Sequence, residues 1–149
     1  MANLGGTASA EIDAPLEDVW AIVEDVESAP DWQGGLVDIE PIEHDGEGRP
    51  TLVEAENDIK VRKVKSHVRF SYEAPTRLSW SQVKGDLKSV EGSWELEDLG
   101  DGRTRATYWL EGDPGRMIGM LIRGPVEDAL RGMLVSARPG ELKQRVEGG

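Results

Sequence analysis

The chain has 149 residues, of which 38% are hydrophobic and 31% are charged. A chain of this length normally forms one domain with a real core, and its composition excludes an intrinsically disordered protein. It carries 17 basic and 29 acidic residues, and the resulting net charge of −12 disfavours nucleic acid as a partner. The absence of cysteine excludes disulfides, thiolate catalysis and cysteine-based metal sites.

Two further observations concern location. No apolar run approaches the ~20 residues that a membrane span requires, so we expect no stable membrane insertion. Residues 1–6 lack the basic and apolar regions of a signal peptide, which favours a cytoplasmic location. The length of the chain favours a single domain over residues 1–149.

The chain begins with a strand and two helices. Alternating small and polar residues predict a strand over 7–13. Asp13 is then expected to cap a helix, with Pro15 in its first turn. Apolar residues at helical spacing give this helix one buried face: Leu16, Val19, Trp20 and Val23. A second short helix is predicted over 27–32.

Six strands follow, with no helical pattern between them. They are predicted at 36–44, 51–56, 59–72, 77–84, 87–97 and 103–111. Gly100-Asp101-Gly102 is a strong hairpin signal between the last two. Strands joined by such short turns must form an antiparallel meander.

The C-terminal part is predicted to be a long helix that opens at Asp113-Pro114-Gly115. Apolar residues recur at intervals of three and four from Met117 to Ala137. Gly124-Pro125 should kink this helix, and Arg138-Pro139-Gly140 should break or kink it again.

Three stretches resemble one known family. Ile12-Asp13-Ala14-Pro15 is followed by Val19-Trp20, and Ala29-Pro30-Asp31-Trp32 is similar to a "Y-P-x-W" motif with alanine at the aromatic position. Gly92-Ser93-Trp94-Glu95-Leu96, Gly102-Arg103-Thr104 and Tyr108-Trp109-Leu110 are similar to the last hairpin of the same family. The chain thus resembles the polyketide cyclase/dehydrase branch of the SRPBCC (START-like) superfamily. The resemblance implies an α+β helix-grip fold, in which a curved antiparallel sheet of about seven strands wraps around a long C-terminal helix.

Such a fold would enclose an apolar cavity, and strand alternation predicts its lining. Lys63, Lys65, His67 and Arg69 take the opposite, outward phase. The residues expected to face the cavity and contact a ligand are Val64, Ser66, Val68, Phe70, Tyr72, Leu78, Trp80, Gln82, Trp94, Tyr108 and Leu110 on the strands, with Met117, Met120, Leu121 and Met133 on the helix. Methionine suits adaptable binding surfaces, although it also serves as ordinary core.

Chemistry is less well specified by the sequence. The two histidines lie on different strands, so no metal site is predicted, and no cofactor is expected. No nucleophile elbow, Walker loop or dinucleotide fingerprint is present. A cyclase would need a donor to polarise a carbonyl, for which the inward phase offers Arg62, Tyr72 and Tyr108. Arg69 would replace Arg62 only if a bulge reversed the register.

Three functions remain open at this point. The first is a soluble binding or carrier domain for a hydrophobic small molecule such as a lipid, an isoprenoid or a polyketide-like compound. The second is a cofactor-independent polyketide cyclase or aromatase. The third is a non-catalytic domain that binds a protein partner through its acidic surface. The sequence leaves the oligomeric state open between a monomer and a homodimer.

Overall fold

A computed structural model describes residues 4–148, so residues 1–3 and 149 of the expected domain lie outside the described part. Seven strands form one sheet in the order β1-β7-β6-β5-β4-β3-β2, and every neighbouring pair is antiparallel. The strands are β1 (Gly6–Ile12), β2 (Leu36–His44), β3 (Pro50–Asp58), β4 (Lys63–Glu73), β5 (Arg77–Gly85), β6 (Ser89–Gly100) and β7 (Arg103–Asp113). The expected meander of six strands, here β2 to β7, and the expected curved sheet of seven strands are confirmed.

Two short helices connect β1 to β2, as the sequence predicts. Helix α1 spans Leu16–Glu24, and a 3₁₀ helix spans Val26–Asp31. The expected cap is wrong, because Pro15 occupies the N-cap position and no side chain caps the helix. Asp13 instead accepts a hydrogen bond from Arg103 Nε at 3.3 Å.

The hairpins show how local sequence sets the strand ends. Asp101 and Gly102 form the β6–β7 loop with φ values of 55° and 72°, and a type I′ hairpin turn needs positive φ at both of its central residues. The β3–β4 turn lies later than predicted, at residues 59–62. Ile59 is buried there, and the Asp58 carboxylate accepts a hydrogen bond from the Lys60 amide at 2.9 Å. Strand β4 therefore begins at Lys63 and not at residue 59.

The C-terminal helical region is divided by its glycine and proline residues. Helix α2 spans Gly115–Gly119, and after a helical break helix α3 spans Pro125–Arg131. A π-helical turn over Gly132–Ser136 leads into helix α4 (Arg138–Gly148). Pro139 lies in the first turn of α4, where backbone N–H groups make no hydrogen bond within the helix. Its missing N–H therefore does not interrupt α4.

The core lies between the sheet and these helices. Helix α4 packs against β1 and α1, and the π-helical turn packs against β1 and β7. The largest fully buried side chains in this layer include Trp94, Ile12, Leu130 and Leu142. Among the described residues, no helix is long and apolar enough to cross a membrane.

Candidate functional site: an apolar cavity with a buried arginine

A partly open cavity of about 140 Å³ lies between the sheet and the helices. Nine of the residues predicted to face inward line it: Val64, Ser66, Val68, Phe70, Leu78, Trp80, Trp94, Tyr108 and Leu110. The strand phase predicted for β4 agrees with its burial, which alternates along the strand from Lys63 onward. The part that these residues play in binding stays a prediction.

Aromatic side chains form a continuous wall on the sheet side. The ring centroids of Trp94 and Tyr108 lie 4.7 Å apart, those of Tyr108 and Trp80 lie 5.6 Å apart, and those of Trp80 and Phe70 lie 6.0 Å apart. Tilted pairs at such distances stabilise one another beyond the burial of their surface. The wall therefore presents a firm apolar surface to the cavity.

Three predicted lining residues lie beside the cavity and not on it. The Tyr72 hydroxyl donates a hydrogen bond to the Pro50 carbonyl, and the Arg49 guanidinium lies 4.5 Å from the Tyr72 ring centroid. Gln82 accepts a hydrogen bond from the Ser66 hydroxyl at 2.8 Å and donates one to the Leu87 carbonyl at 2.9 Å. Met133 is partly buried and packs over Gly35.

The prediction that the first part of the C-terminal helical region lines the cavity is wrong. Met117, Met120 and Leu121 are 82%, 59% and 54% exposed. The apolar spacing predicts a helix that kinks only at Gly124-Pro125, but α2 already ends at Gly119. Its buried side is formed by Ile118, with Ile122 in the following break, and both belong to the main core.

The predicted orientation of Arg62 is also wrong. It lies in the β3–β4 turn, outside the strand whose alternation would have turned it inward, and its guanidinium is 3.8 Å from Asp86. Arg69 keeps its predicted outward phase, where its guanidinium lies 3.5 Å from Glu43. Neither arginine reaches the cavity.

The arginine at the cavity is Arg138, for which the sequence predicts only a place in a helix-breaking segment. It is 3% exposed and lines the cavity from the start of α4. One terminal nitrogen donates hydrogen bonds to the Gly34 carbonyl at 3.1 Å and to Glu141 Oε1 at 2.6 Å. A spacing of three residues to a glutamate was the available signal, since such residues share one helix face.

Glu141 completes a clasp between α4 and the loop before β2. Its Oε2 accepts a hydrogen bond from the Gly34 amide at 2.9 Å, while its Oε1 accepts from Arg138. Both backbone groups of Gly34 are thereby held by α4. Leu36, the first residue of β2, lies two residues after Gly34 and lines the cavity, so the clasp fixes part of the cavity wall.

Tyr108 lies beneath the guanidinium, with Arg138 Cζ 5.7 Å from its ring centroid. Burial raises the pKa of the Tyr108 phenol, and the opposing charge and hydrogen bond of Arg138 offset this only in part. Burial likewise raises the pKa of Tyr72. Tyr108 is therefore a neutral hydroxyl at ordinary pH and is suited to donating a hydrogen bond, not to acting as a base.

Two buried donors in the described part of the chain have no acceptor: Trp32 Nε1 and Arg138 Nε. Of these two residues, only Arg138 lines the cavity. Between residues 4 and 148, no cluster of three or more histidine, aspartate or glutamate side chains could hold a metal ion.

A curved sheet closed by a C-terminal helix over an apolar cavity defines the helix-grip, START-like class of domain. The chain belongs to the family described as polyketide cyclase / dehydrase and lipid transport, whose model matches residues 12–137. The resemblance found in the sequence motifs is thus confirmed. No curated protein matches this sequence.

Solved structures show the same fold at low identity. A START superfamily protein from Mycobacterium smegmatis is 21% identical with a TM-score of 0.81, and the match covers 97% of each chain. The Zhui aromatase/cyclase from Streptomyces sp. R1128 is 17% identical with a TM-score of 0.73, over 97% of this chain and 94% of that one. At these identities the likeness concerns the fold alone.

Proposed function

We propose that the protein is a soluble binding domain that carries a hydrophobic small molecule in its internal cavity. The observation that carries this proposal is the cavity itself, whose wall is aromatic and aliphatic with few polar groups. Binding would remove apolar surface from water at about 25 cal/mol per Å². Family membership supports the proposal, because the family includes lipid transport.

The volume limits what fits without rearrangement. A cavity of about 140 Å³ is close to the ~150 Å³ of an engineered apolar cavity that binds benzene. It therefore accommodates one ring, or the ring-sized end of a longer lipid, isoprenoid or polyketide-like molecule. A longer ligand would extend toward Leu87, Val90 and Gly112, which line both this cavity and a neighbouring surface pocket.

Binding of a ring-sized hydrocarbon tests the proposal directly. We expect ethylbenzene to bind the purified protein and to change the fluorescence of the cavity tryptophans, and native mass spectrometry to reveal any co-purified ligand. Val64→Phe should fill the cavity and abolish binding, whereas Val83→Phe, at a residue 57% exposed, should leave binding unchanged. Equal binding by both variants, or none by the unchanged protein, would overturn the proposal.

A polyketide cyclase is the second candidate, favoured by the two donors Tyr108 and Arg138 beside one cavity. Polarisation of a carbonyl by such donors is a common source of rate acceleration. Among the described residues, however, the cavity lining includes no carboxylate and no histidine to move protons. If Tyr108→Phe abolished cyclisation of a poly-β-ketone but preserved its binding, the cyclase would replace the carrier as the better account.

A further inference from the structure

Three large apolar side chains are exposed together on the segment between β7 and α3. Met117, Met120 and Leu121 are each more than half exposed. Ile118 and Ile122 on the same segment are buried and belong to the main core cluster. These isoleucines hold the segment in place, so the exposed side chains cannot turn inward without displacing part of the core. Apolar side chains gathered in this way indicate an interaction surface, unlike apolar residues scattered singly.

Two exposed arginines flank these side chains. The described part contains all eleven arginines of the chain, and nine of them form an ion pair with a carboxylate. Arg116 and Arg123 are the two for which the described residues supply no such partner. Residues 114–126 include no acidic residue. A protein with a net charge of −12 thus carries one cationic and apolar patch, called here the α2 patch, which consists of Arg116, Met117, Met120, Leu121 and Arg123.

The acidic residues next to this segment along the chain are already paired. Asp113 precedes it, and its Oδ2 lies 3.8 Å from Lys88 Nζ. Glu127 and Asp128 follow it, and each has a carboxylate oxygen 3.1 Å from a terminal nitrogen of Arg131. Charges farther away than the Debye length, about 8 Å at physiological ionic strength, are largely screened. The electrostatic potential at the α2 patch therefore depends mainly on its own two arginines.

We infer that the α2 patch docks the protein reversibly on an anionic lipid bilayer. The three apolar side chains enter the boundary between headgroups and acyl chains, and the two arginines are attracted by the negative surface potential. This inference goes beyond the proposed carrier function and does not depend on it.

A second copy of the chain fits the α2 patch less well than a bilayer does. A two-fold contact centred on the patch would bring the arginines of both copies together, because the same surface lies on both sides of such a contact. A stable protein interface also uses about 20–30 residues from each partner, far more than the patch contains. Docking on a bilayer needs only buried apolar area and opposite charge.

Vesicle sedimentation tests the inference. The unchanged protein should bind vesicles of phosphatidylcholine and phosphatidylglycerol in equal parts, and its affinity for pure phosphatidylcholine should be lower by about tenfold or more. Arg116→Gln combined with Arg123→Gln should lower the affinity for the mixed vesicles by about thirtyfold, since each basic residue near an anionic surface contributes about fivefold. Arg103→Gln combined with Arg105→Gln is the matched control. It changes the charge equally at the start of β7, the far end of that strand from α2, and should leave binding unchanged.

The apolar part of the patch has its own variant. Met117→Ser combined with Leu121→Ser should lower the affinity for mixed vesicles by about tenfold or more, because less apolar surface is buried. Val37→Ser combined with Ile42→Ser removes two exposed apolar side chains from β2 instead and should have no effect.

A fluorescent label reports insertion without relying on the loss of binding. The chain has no cysteine, so Met117→Cys and Ile42→Cys each create a single site for an environment-sensitive dye. The emission of the dye at residue 117 should shift to shorter wavelength on mixed vesicles, and that of the dye at residue 42 should not. Equal behaviour of the two labels would overturn the inference.

The remaining outcomes separate this inference from the carrier proposal. If the unchanged protein binds neither vesicle, or if the arginine variant binds the mixed vesicles as well as the unchanged protein does, docking is overturned and ethylbenzene binding still decides the carrier proposal. Val64→Phe should leave vesicle binding intact, and its loss would place the lipid in the cavity and overturn docking by the patch. Sedimentation velocity without vesicles should give the same assembly state for the unchanged protein and the apolar variant. A dimer that only the apolar variant dissociates would make the patch an interface between copies and overturn the inference.

Discussion

At the scale of single residues, Gly92 determines how closely the aromatic wall can pack on the sheet. It pairs with Trp80 across β5 and β6. A Cβ atom at this position would lie 2.6 Å from Trp80 Cζ2 and 2.7 Å from the carbonyl oxygen of Trp109. The indole could turn aside, but the backbone oxygen could move only if β7 shifted.

Gly92→Ala should therefore destabilise the protein by about 1–3 kcal/mol, the usual cost of overpacking a well-filled core. Chemical denaturation measures this change in the free energy of unfolding. Gly132→Ala is the control, because no atom lies within 4 Å of its added Cβ and its φ is −59°. That variant should be as stable as the unchanged protein or up to about 1 kcal/mol more stable, since alanine favours helices.

The two tyrosines predict how stability depends on alkaline pH. Burial raises the pKa of both Tyr72 and Tyr108 above the ordinary value of 10.0. Above pH 10 the unfolded chain releases these protons while the folded chain keeps them, so stability should fall as pH rises further. At pH 10, tyrosinate absorbance should show both tyrosines protonated in the folded protein, and ionisation should appear only when the protein unfolds. A normal titration in the folded Tyr72→Phe variant would contradict the assignment for Tyr108.

Arg138 shows why residue-level prediction failed at the most informative position of the site. Its neighbours Pro139 and Gly140 indicate an interruption of the helix. This local pattern gives no sign that the Arg138 side chain is buried. Its partners Gly34 and Tyr108 are 104 and 30 residues away in the sequence, as their numbers show. Only the packing of α4 against the loop and the sheet brings them together, and no periodicity encodes that contact.

At the scale of elements, α2 offers a test of which side faces the core. Ile118→Ala should lower stability by about 2–5 kcal/mol, because the side chain is 5% exposed and belongs to the main core cluster. Met117→Ala, one residue earlier and 82% exposed, should change stability by about 0.5 kcal/mol or less. Thermal unfolding of the two variants compares them. A larger loss for Met117→Ala would contradict the orientation of α2.

The clasp between α4 and the loop before β2 predicts a local change in hydrogen exchange. Glu141→Ala removes the acceptor of the Gly34 amide, so exchange at that amide should become faster. Glu147→Ala, in the same helix, is the control because Glu147 accepts from the Asp13 amide at 2.9 Å. It should accelerate exchange at Asp13 and leave Gly34 unchanged. Equal acceleration at Gly34 by both variants would indicate global destabilisation and contradict the clasp.

Strands were the most predictable elements, and the helical region was the least. Alternation located all seven strands, and the inward face of β4 followed from it because side chains alternate strictly along a strand. The exceptions lie outside the strands. Arg62 lies in the turn before β4, so strand alternation does not determine which way its side chain points. For residues 115–137, the spacing of three and four residues predicts one kinked helix, whereas the structure has a helix that ends at Gly119 and another that begins at Pro125.

At the scale of the whole molecule, the excess of 12 negative charges should make stability depend on salt. Like charges face each other across β2 and β3, where Glu40 is opposite Glu54 and Asp38 is opposite Glu56. Screening grows as the Debye length falls from about 30 Å at 0.01 M salt to about 3 Å at 1 M. The melting temperature should rise over this range.

Glu40→Lys provides the matched comparison for this salt effect. It replaces a like-charge pair with an opposite-charge pair, so it should stabilise the protein at low salt by about 0.2–1 kcal/mol. The variant should also gain less from added salt than the unchanged protein does. A melting temperature that falls with salt would mean that the surface ion pairs outweigh the net repulsion.

The position of β2 in the sheet has one more consequence. As the last strand in the order, β2 has one edge that pairs with no other strand of the described sheet, and the 3₁₀ helix Val26–Asp31 packs against β2. Pro41 on β2 has no N–H to offer a neighbouring strand, and Asp38, Glu40 and Glu43 line the same strand with negative charge. An approaching strand from another copy would meet a gap in its hydrogen bonding and a row of repelling carboxylates. These residues should therefore disfavour the addition of a strand from another copy to β2.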